Sequence, residues 1–77
     1  MSNSPEKKFR LGRIVATVWN NPNEEGTDRY SVSIVRIYRD GEDWKETSSF
    51  FPEDLPVVGR LSERALNHVM ILQEGLA

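Results

Sequence analysis

The sequence predicts an α+β fold, an antiparallel sheet of three to four strands followed by one C-terminal helix. Three observations predict it. The runs at 9–19 and 29–39 are rich in β-branched and aromatic residues, with the two-residue alternation of half-buried strands. Asp40-Gly41 links the second run to a third at 43–50, in the manner of a tight hairpin whose glycine accepts positive φ. From Val58 to Leu72, apolar residues recur three and four apart, which is the stripe of a helix lying on a core.

The elements follow in order. Residues 1–7 are polar with one proline and are expected to be a disordered tail. A single domain is expected over 8–74, with 75–77 as its C-terminal end. In FRLGRIVATVW, Ile14, Ala16 and Val18 share one face while Val15, Thr17 and Trp19 share the other. Gly12 interrupts the run and marks either a bend in one strand or a corner between two. Residues 20–28, NNPNEEGTD, are a loop by composition. In RYSVSIVRIYR, Tyr30, Val32 and Ile34 alternate with Ser31 and Ser33, and then Val35 and Ile37 become the apolar partners of Arg36. That change of phase requires either a bulge or a strand end covered on both faces. Trp44 leads one face of the third run, with Glu46, Ser48 and Phe50. Pro52, Glu53 and Asp54 suit a helix start, but Pro56 disfavours helical geometry at Leu55. Residues 52–55 therefore read as a separate turn, with the regular helix starting near Pro56 and stopping at Gly75.

The composition excludes several classes of function. With no cysteine there is neither a disulfide nor a thiolate nucleophile or ligand, which fits a reducing cytoplasm. No apolar run approaches the ~20 residues of a membrane span, and the N-terminus has no apolar signal core. A cytoplasmic location is expected. His68 is the only histidine and reads as a surface residue of the helix. The acid pairs Glu24-Glu25, Glu42-Asp43 and Glu53-Asp54 fall at turns or at the helix start. No glycine-rich phosphate loop occurs. No enzyme, cofactor or metal is expected.

Charge is uneven. Residues 1–39 hold seven Lys and Arg against four acids, and residues 40–77 hold three against eight. This reads either as ordinary solvated faces or as a basic surface for a polyanion. Trp19, Tyr30, Tyr38 and Trp44 lie near strand ends among arginines and lysines. Rings with interleaved bases suit single-stranded nucleic acid, whose bases stack while Arg and Lys follow the phosphates. Trp19 and Trp44 read first as plugs between sheet and helix. A chain of this length buries only about 60% of its unfolded surface. Apolar residues at Leu61, Leu66 and Ile71 make the helix stripe wider than one contact needs. A homodimer is expected, with Leu61, Ala65, Leu66 and Val69 at its interface.

The segment FRLGRIVATVW, the strand YSVSIVRIYRD leading into GEDWKETSSF, and the Pro-acid start FPEDLPVVGRL together resemble the single-stranded-DNA-binding transcriptional coactivator family. The likeness spans roughly residues 9–72. The chain is also similar to small uncharacterised bacterial proteins with the pattern W…Y-x-V…R-x-Y-x-D…W-K-x-T-x-S-F…D-L. The resemblance implies a curved ββββα fold, a dimer built through the helices, and single-stranded DNA lying along the strands in a transcription-related, non-catalytic role. The residues it would carry over are Arg13, Tyr30, Arg36, Tyr38, Arg39, Trp44 and Lys45. Two features depart from the family. Its third strand is rich in basic residues, whereas Lys45 is followed here by Glu46, Thr47 and Ser48, and the net charge is −2. The alternative expectation is a protein-interaction or scaffold homodimer without nucleic-acid affinity, using exposed strand edges.

Overall fold

Four strands form one antiparallel meander, with the helix laid across one of its faces. The structure, a computed structural model, describes residues 4–21 and 29–75. The strands are β1 (Ser4–Leu11), β2 (Ile14–Asn20), β3 (Tyr30–Asp40) and β4 (Asp43–Thr47), in the spatial order β1-β2-β3-β4. A 3₁₀ turn (Pro52–Asp54) leads into α1 (Leu55–Gln73). The expected ββββα order is therefore the fold. Residues 1–3 of the expected tail, 22–28 of the expected loop, and 76–77 lie outside the described residues. No helix among those described is long and apolar enough to cross a membrane.

The corner at Gly12 separates two strands, β1 and β2. Gly12 and Gly41 both take positive φ, +61° and +65°, in the two hairpin turns at the same end of the sheet. A Cβ at either would meet nothing, so the cost of replacing them is conformational alone. Gly12→Ala and Gly41→Ala are each expected to lower stability by about 1 kcal/mol, read as a shift of the urea midpoint with an unchanged slope.

β1 begins at Ser4, so residues 4–7 are not tail. They pair with the far end of β2, with a register shift between Pro5 and Lys7. An edge strand tolerates that proline because its outer side needs no hydrogen-bond donor. The phase change in β3 is not a bulge, because the β2–β3 register runs unbroken from Asn20↔Tyr30 to Ile14↔Arg36. Instead, Ile34 to Tyr38 are half-buried on both faces. β4 stops at Thr47, short of Phe50, because the chain turns there. The Ser49 N–H donates to Thr47 Oγ1 (3.1 Å) and Arg36 Nε donates to the Ser49 carbonyl (3.1 Å). Phe50 thereby leaves the face of Trp44 and packs on the core.

Residues opposite one another across a sheet share a face. Phe9, Ala16 and Ile34 form one such row and Leu11, Ile14 and Arg36 another, both on the helix side. Ile14, Ala16 and Val18 are buried there with Leu61 and Ala65 of α1, and Phe9, Ile34, Phe50, Val57 and Val58 pack around the cluster of Ile14, Ala16 and Leu61. α1 starts one residue before Pro56, which then sits at its second position, where a missing N–H costs nothing. Beyond the helix end, Gly75 takes φ +72° and its N–H donates to the Leu72 carbonyl (3.1 Å), the expected glycine stop.

Leu61 and Ala65, expected at a dimer interface, are 0% and 1% exposed within the single chain. They are core residues of the monomer: Leu61 packs with Ile14 and Ala16, and Ala65 is buried one turn further along α1. Leu66 is 56% exposed and Val69 half-buried.

Candidate nucleic-acid interface

The face of the sheet away from α1 is built by the alternate residues of each strand. Lys8, Thr17 and Ser33 form one row, Arg10, Val15 and Val35 the next. Trp19 lies opposite Ser31, Ile37 opposite Glu46, and Arg39 opposite Trp44. No described element packs over this open face. It takes up odd-numbered residues of β3, and its basic side chains come from β1 and β3.

Two arginines are held there in the same way. Arg10 Nε donates to the Gly12 carbonyl and Arg39 Nε to the Gly41 carbonyl, each at 3.0 Å. Each guanidinium is thus tethered by one donor to the turn two residues ahead, and its terminal nitrogens remain available for an acceptor. The Arg39 guanidinium also lies 5.8 Å from the Trp44 ring centre, within cation–π range. Trp44 is 66% exposed, unusually open for its size. Between Arg10 and Trp44, over Ile37, lies a shallow depression of about 260 Å³. A flat aromatic ligand can stack on Trp44 there with Arg10 beside it, while Arg39 lies against the same ring. Among the described residues, Arg10, Arg13 and Arg39 make no ion pair; the ion pairs are Arg36–Asp54 and Lys45–Asp40. The one acid among these rows is Glu46, beside Ile37.

The other end of the face is polar, with Lys8 its one charge in the rows that cross Thr17 and Trp19. Trp19 Nε1 donates to Ser33 Oγ (2.9 Å) and Asn21 Nδ2 to Ser31 Oγ (2.8 Å), and Thr17 is 6% exposed beside them. Trp19 and Trp44 sit eight residues apart along β3 through their partners Ser31 and Arg39, or about 27 Å at strand rise. Neither tryptophan plugs the sheet against the helix, because both fall on the opposite face.

The seven residues expected to bind nucleic acid do not share one surface. Arg39 and Trp44 are on the open face, and exposed Arg13 is in the adjoining turn, its carbonyl accepting from the Ile37 N–H (2.8 Å). Tyr30, Arg36, Tyr38 and Lys45 are on the helix side. Lys45 Nζ is 2.8 Å from Asp40 Oδ2, so its charge is already matched. Arg36 is committed to the fold. It donates to the Ser49 carbonyl, lies 3.8 Å from Asp54 Oδ2, and stacks 4.5 Å from the Phe51 ring centre and 5.8 Å from that of Tyr38. The same Asp54 oxygen accepts the Phe51 N–H at 3.0 Å. Arg36 therefore ties β3 to the start of α1. Arg10, Lys8 and Trp19 complete the open face and are not among the seven expected binding residues. The alternation of Val15, Thr17 and Trp19 against Ile14, Ala16 and Val18 carried the signal for Trp19.

His68 is half-buried rather than superficial. Its ring meets Phe9 edge-on at 5.9 Å, and among the described residues Nε2 has no hydrogen-bond partner and no acid orients the ring as a base. Among the described residues no group of three or more His, Asp or Glu could hold a metal ion. Comparison with protein-family models, with curated proteins and with solved structures gives no match for this chain.

Proposed function

We propose that the protein is a non-catalytic nucleic-acid-binding module that takes single strands across its open sheet face. One observation carries this reading. Arg10 and the exposed Trp44 line a depression over Ile37 and Arg39 lies against the Trp44 ring, with the two arginines free of ion pairs among the described residues. Rings for stacking and unneutralised guanidinium groups are what a single strand requires, whereas a duplex hides its base faces. The net charge of −2 does not oppose this, because the local field decides encounter with a polyanion. The likeness of residues 9–72 to the single-stranded-DNA-binding coactivator family supports the same reading.

The test is fluorescence anisotropy of a labelled single-stranded oligonucleotide, titrated at low and at higher salt. Saturable binding that weakens steeply with salt is expected. The Arg10→Ala, Arg39→Ala double variant should flatten the salt slope by about two phosphate contacts. Trp44→Ala should weaken binding roughly tenfold, corresponding to about 1.4 kcal/mol of lost stacking. Absence of binding at low salt, or equal binding by the double variant, would remove the proposal and leave a protein partner as the reading to pursue.

A further inference from the structure

Three strand edges face solvent, and two of them are protected. β1 carries Pro5, Lys7, Lys8 and a register shift; β4 is only five residues long and carries Lys45 and Glu46. Such features keep edges from pairing with other chains. The third edge is half of β3. β4 pairs only with Arg36–Asp40, so among the described residues the segment 31–35, Ser-Val-Ser-Ile-Val, has no strand on that side. It holds no charge, no proline and no bulge.

The hydrogen bonding shows which groups face outward. Asn21 N–H donates to the Arg29 carbonyl and Ile37 N–H to the Arg13 carbonyl. Odd-numbered residues of β3 therefore direct their backbone to β2, and Val32 and Ile34 direct theirs to the vacant side. On the helix face beneath this edge runs an apolar groove of about 310 Å³ in which Val32, Ile34, Leu66 and Val69 take part. Val32 is 42% exposed and Leu66 56%. Charged residues make up 29% of the chain, yet among the described residues none lines this groove.

We propose that residues 31–35 pair antiparallel with the same segment of a second copy, about a two-fold axis at Ser33. β4 occupies β3 from Arg36 onward, so the vacant window centres on Ser33. In that register Val32 meets Ile34 of the second copy and Ile34 meets its Val32, each pair exchanging both backbone hydrogen bonds. Both pairs lie on the helix face, where Leu66 and Val69 of the two chains close over them. An uncharged segment that is self-complementary under two-fold rotation fits its own copy, and an isologous contact closes at two chains. A charged peptide would find no counter-charge in the groove. The expected dimer thus forms through a strand edge, with α1 contributing its Leu66 side rather than the buried Leu61 and Ala65. The pairing stands apart from the nucleic-acid reading and would place two open faces side by side in one sheet.

Sedimentation equilibrium from low to high micromolar concentration tests it, with Val32→Lys as the interface variant and circular dichroism to confirm that the variant folds. The wild type should dimerise, and Val32→Lys should weaken association by at least roughly tenfold. The chain has no cysteine, so Ser33→Cys provides a second and independent readout. Facing residues at a non-hydrogen-bonded antiparallel site lie about 4.5 Å apart at Cα, within disulfide reach. Under mild oxidation Ser33→Cys should form covalent dimer about tenfold faster than Glu46→Cys on β4. A monomeric mass at high micromolar concentration, a dimer that Val32→Lys leaves unchanged, or equal cross-linking of the two cysteine variants would each overturn the proposal.

Discussion

Leu61→Ala is expected to cost about 3 kcal/mol of folding stability, the largest effect of any substitution considered for this chain. Leu61 is 0% exposed and packs with Ile14 and Ala16. Few buried side chains surround it that could collapse into the space. The loss therefore combines the transfer energy of the removed methyl groups with that of a cavity. For a chain of this size the cost is a large share of a stability that begins near 5 kcal/mol. Leu66→Ala should cost little in the same assay, because Leu66 is 56% exposed. The measurement is a pair of urea melts in the Val32→Lys background, where the proposed dimer is removed. There the Leu61 cost should persist. A cost that disappeared in that background would mean that Leu61 faces a second subunit and not its own sheet.

The same pair of leucines shows what the sequence could and could not convey. Spacing of three and four gave the helix and its apolar stripe, since a helix on a sheet must bury one side. It did not say which part of a wide stripe the sheet would cover. That depends on where the chain leaves β4, and the exit is set by Arg36 holding the Ser49 carbonyl, a contact between residues thirteen apart. Strand order was legible for a similar reason. Gly12 and Asp40-Gly41 mark short hairpins, and consecutive strands joined by short turns pair as neighbours. β1 extended into the expected tail because pairing with β2 outweighs the polar composition of residues 4–7. The proposed binding residues are harder to read. Aromatic and basic content was visible, but alternation assigns residues only to one of two faces. Which face the helix takes follows from Ile14, Ala16 and Val18 being the smoother apolar set, and that choice separates Arg39 and Trp44 from Arg36 and Tyr38.

Arg36→Ala is expected to lower stability by about 2 kcal/mol and to leave oligonucleotide affinity of the folded protein within about twofold of the wild type. Both expectations follow from its position. The guanidinium gives up a charge-assisted bond to the Ser49 carbonyl, an ion pair with Asp54 and ring contacts with Phe51 and Tyr38. Its side chain is 16% exposed and that of Asp54 21%, so solvent screens the pair only in part, and the loss exceeds that of a surface pair. Arg36→Lys should recover little of the stability, since an ammonium has no planar fork to stack on Phe51 while donating to Ser49. Arg39→Ala should behave in the opposite way. Arg39 is exposed and meets only the Gly41 carbonyl of its own turn and the open Trp44 ring, so the urea midpoint should barely move. The salt slope of binding should meanwhile fall by about one phosphate contact. The two variants, measured by urea melt and by salt-dependent anisotropy, separate a residue that holds β3 to α1 from one proposed to meet the ligand. Loss of salt slope in Arg36→Ala with an unchanged midpoint would reverse that assignment and return the binding surface to the helix side.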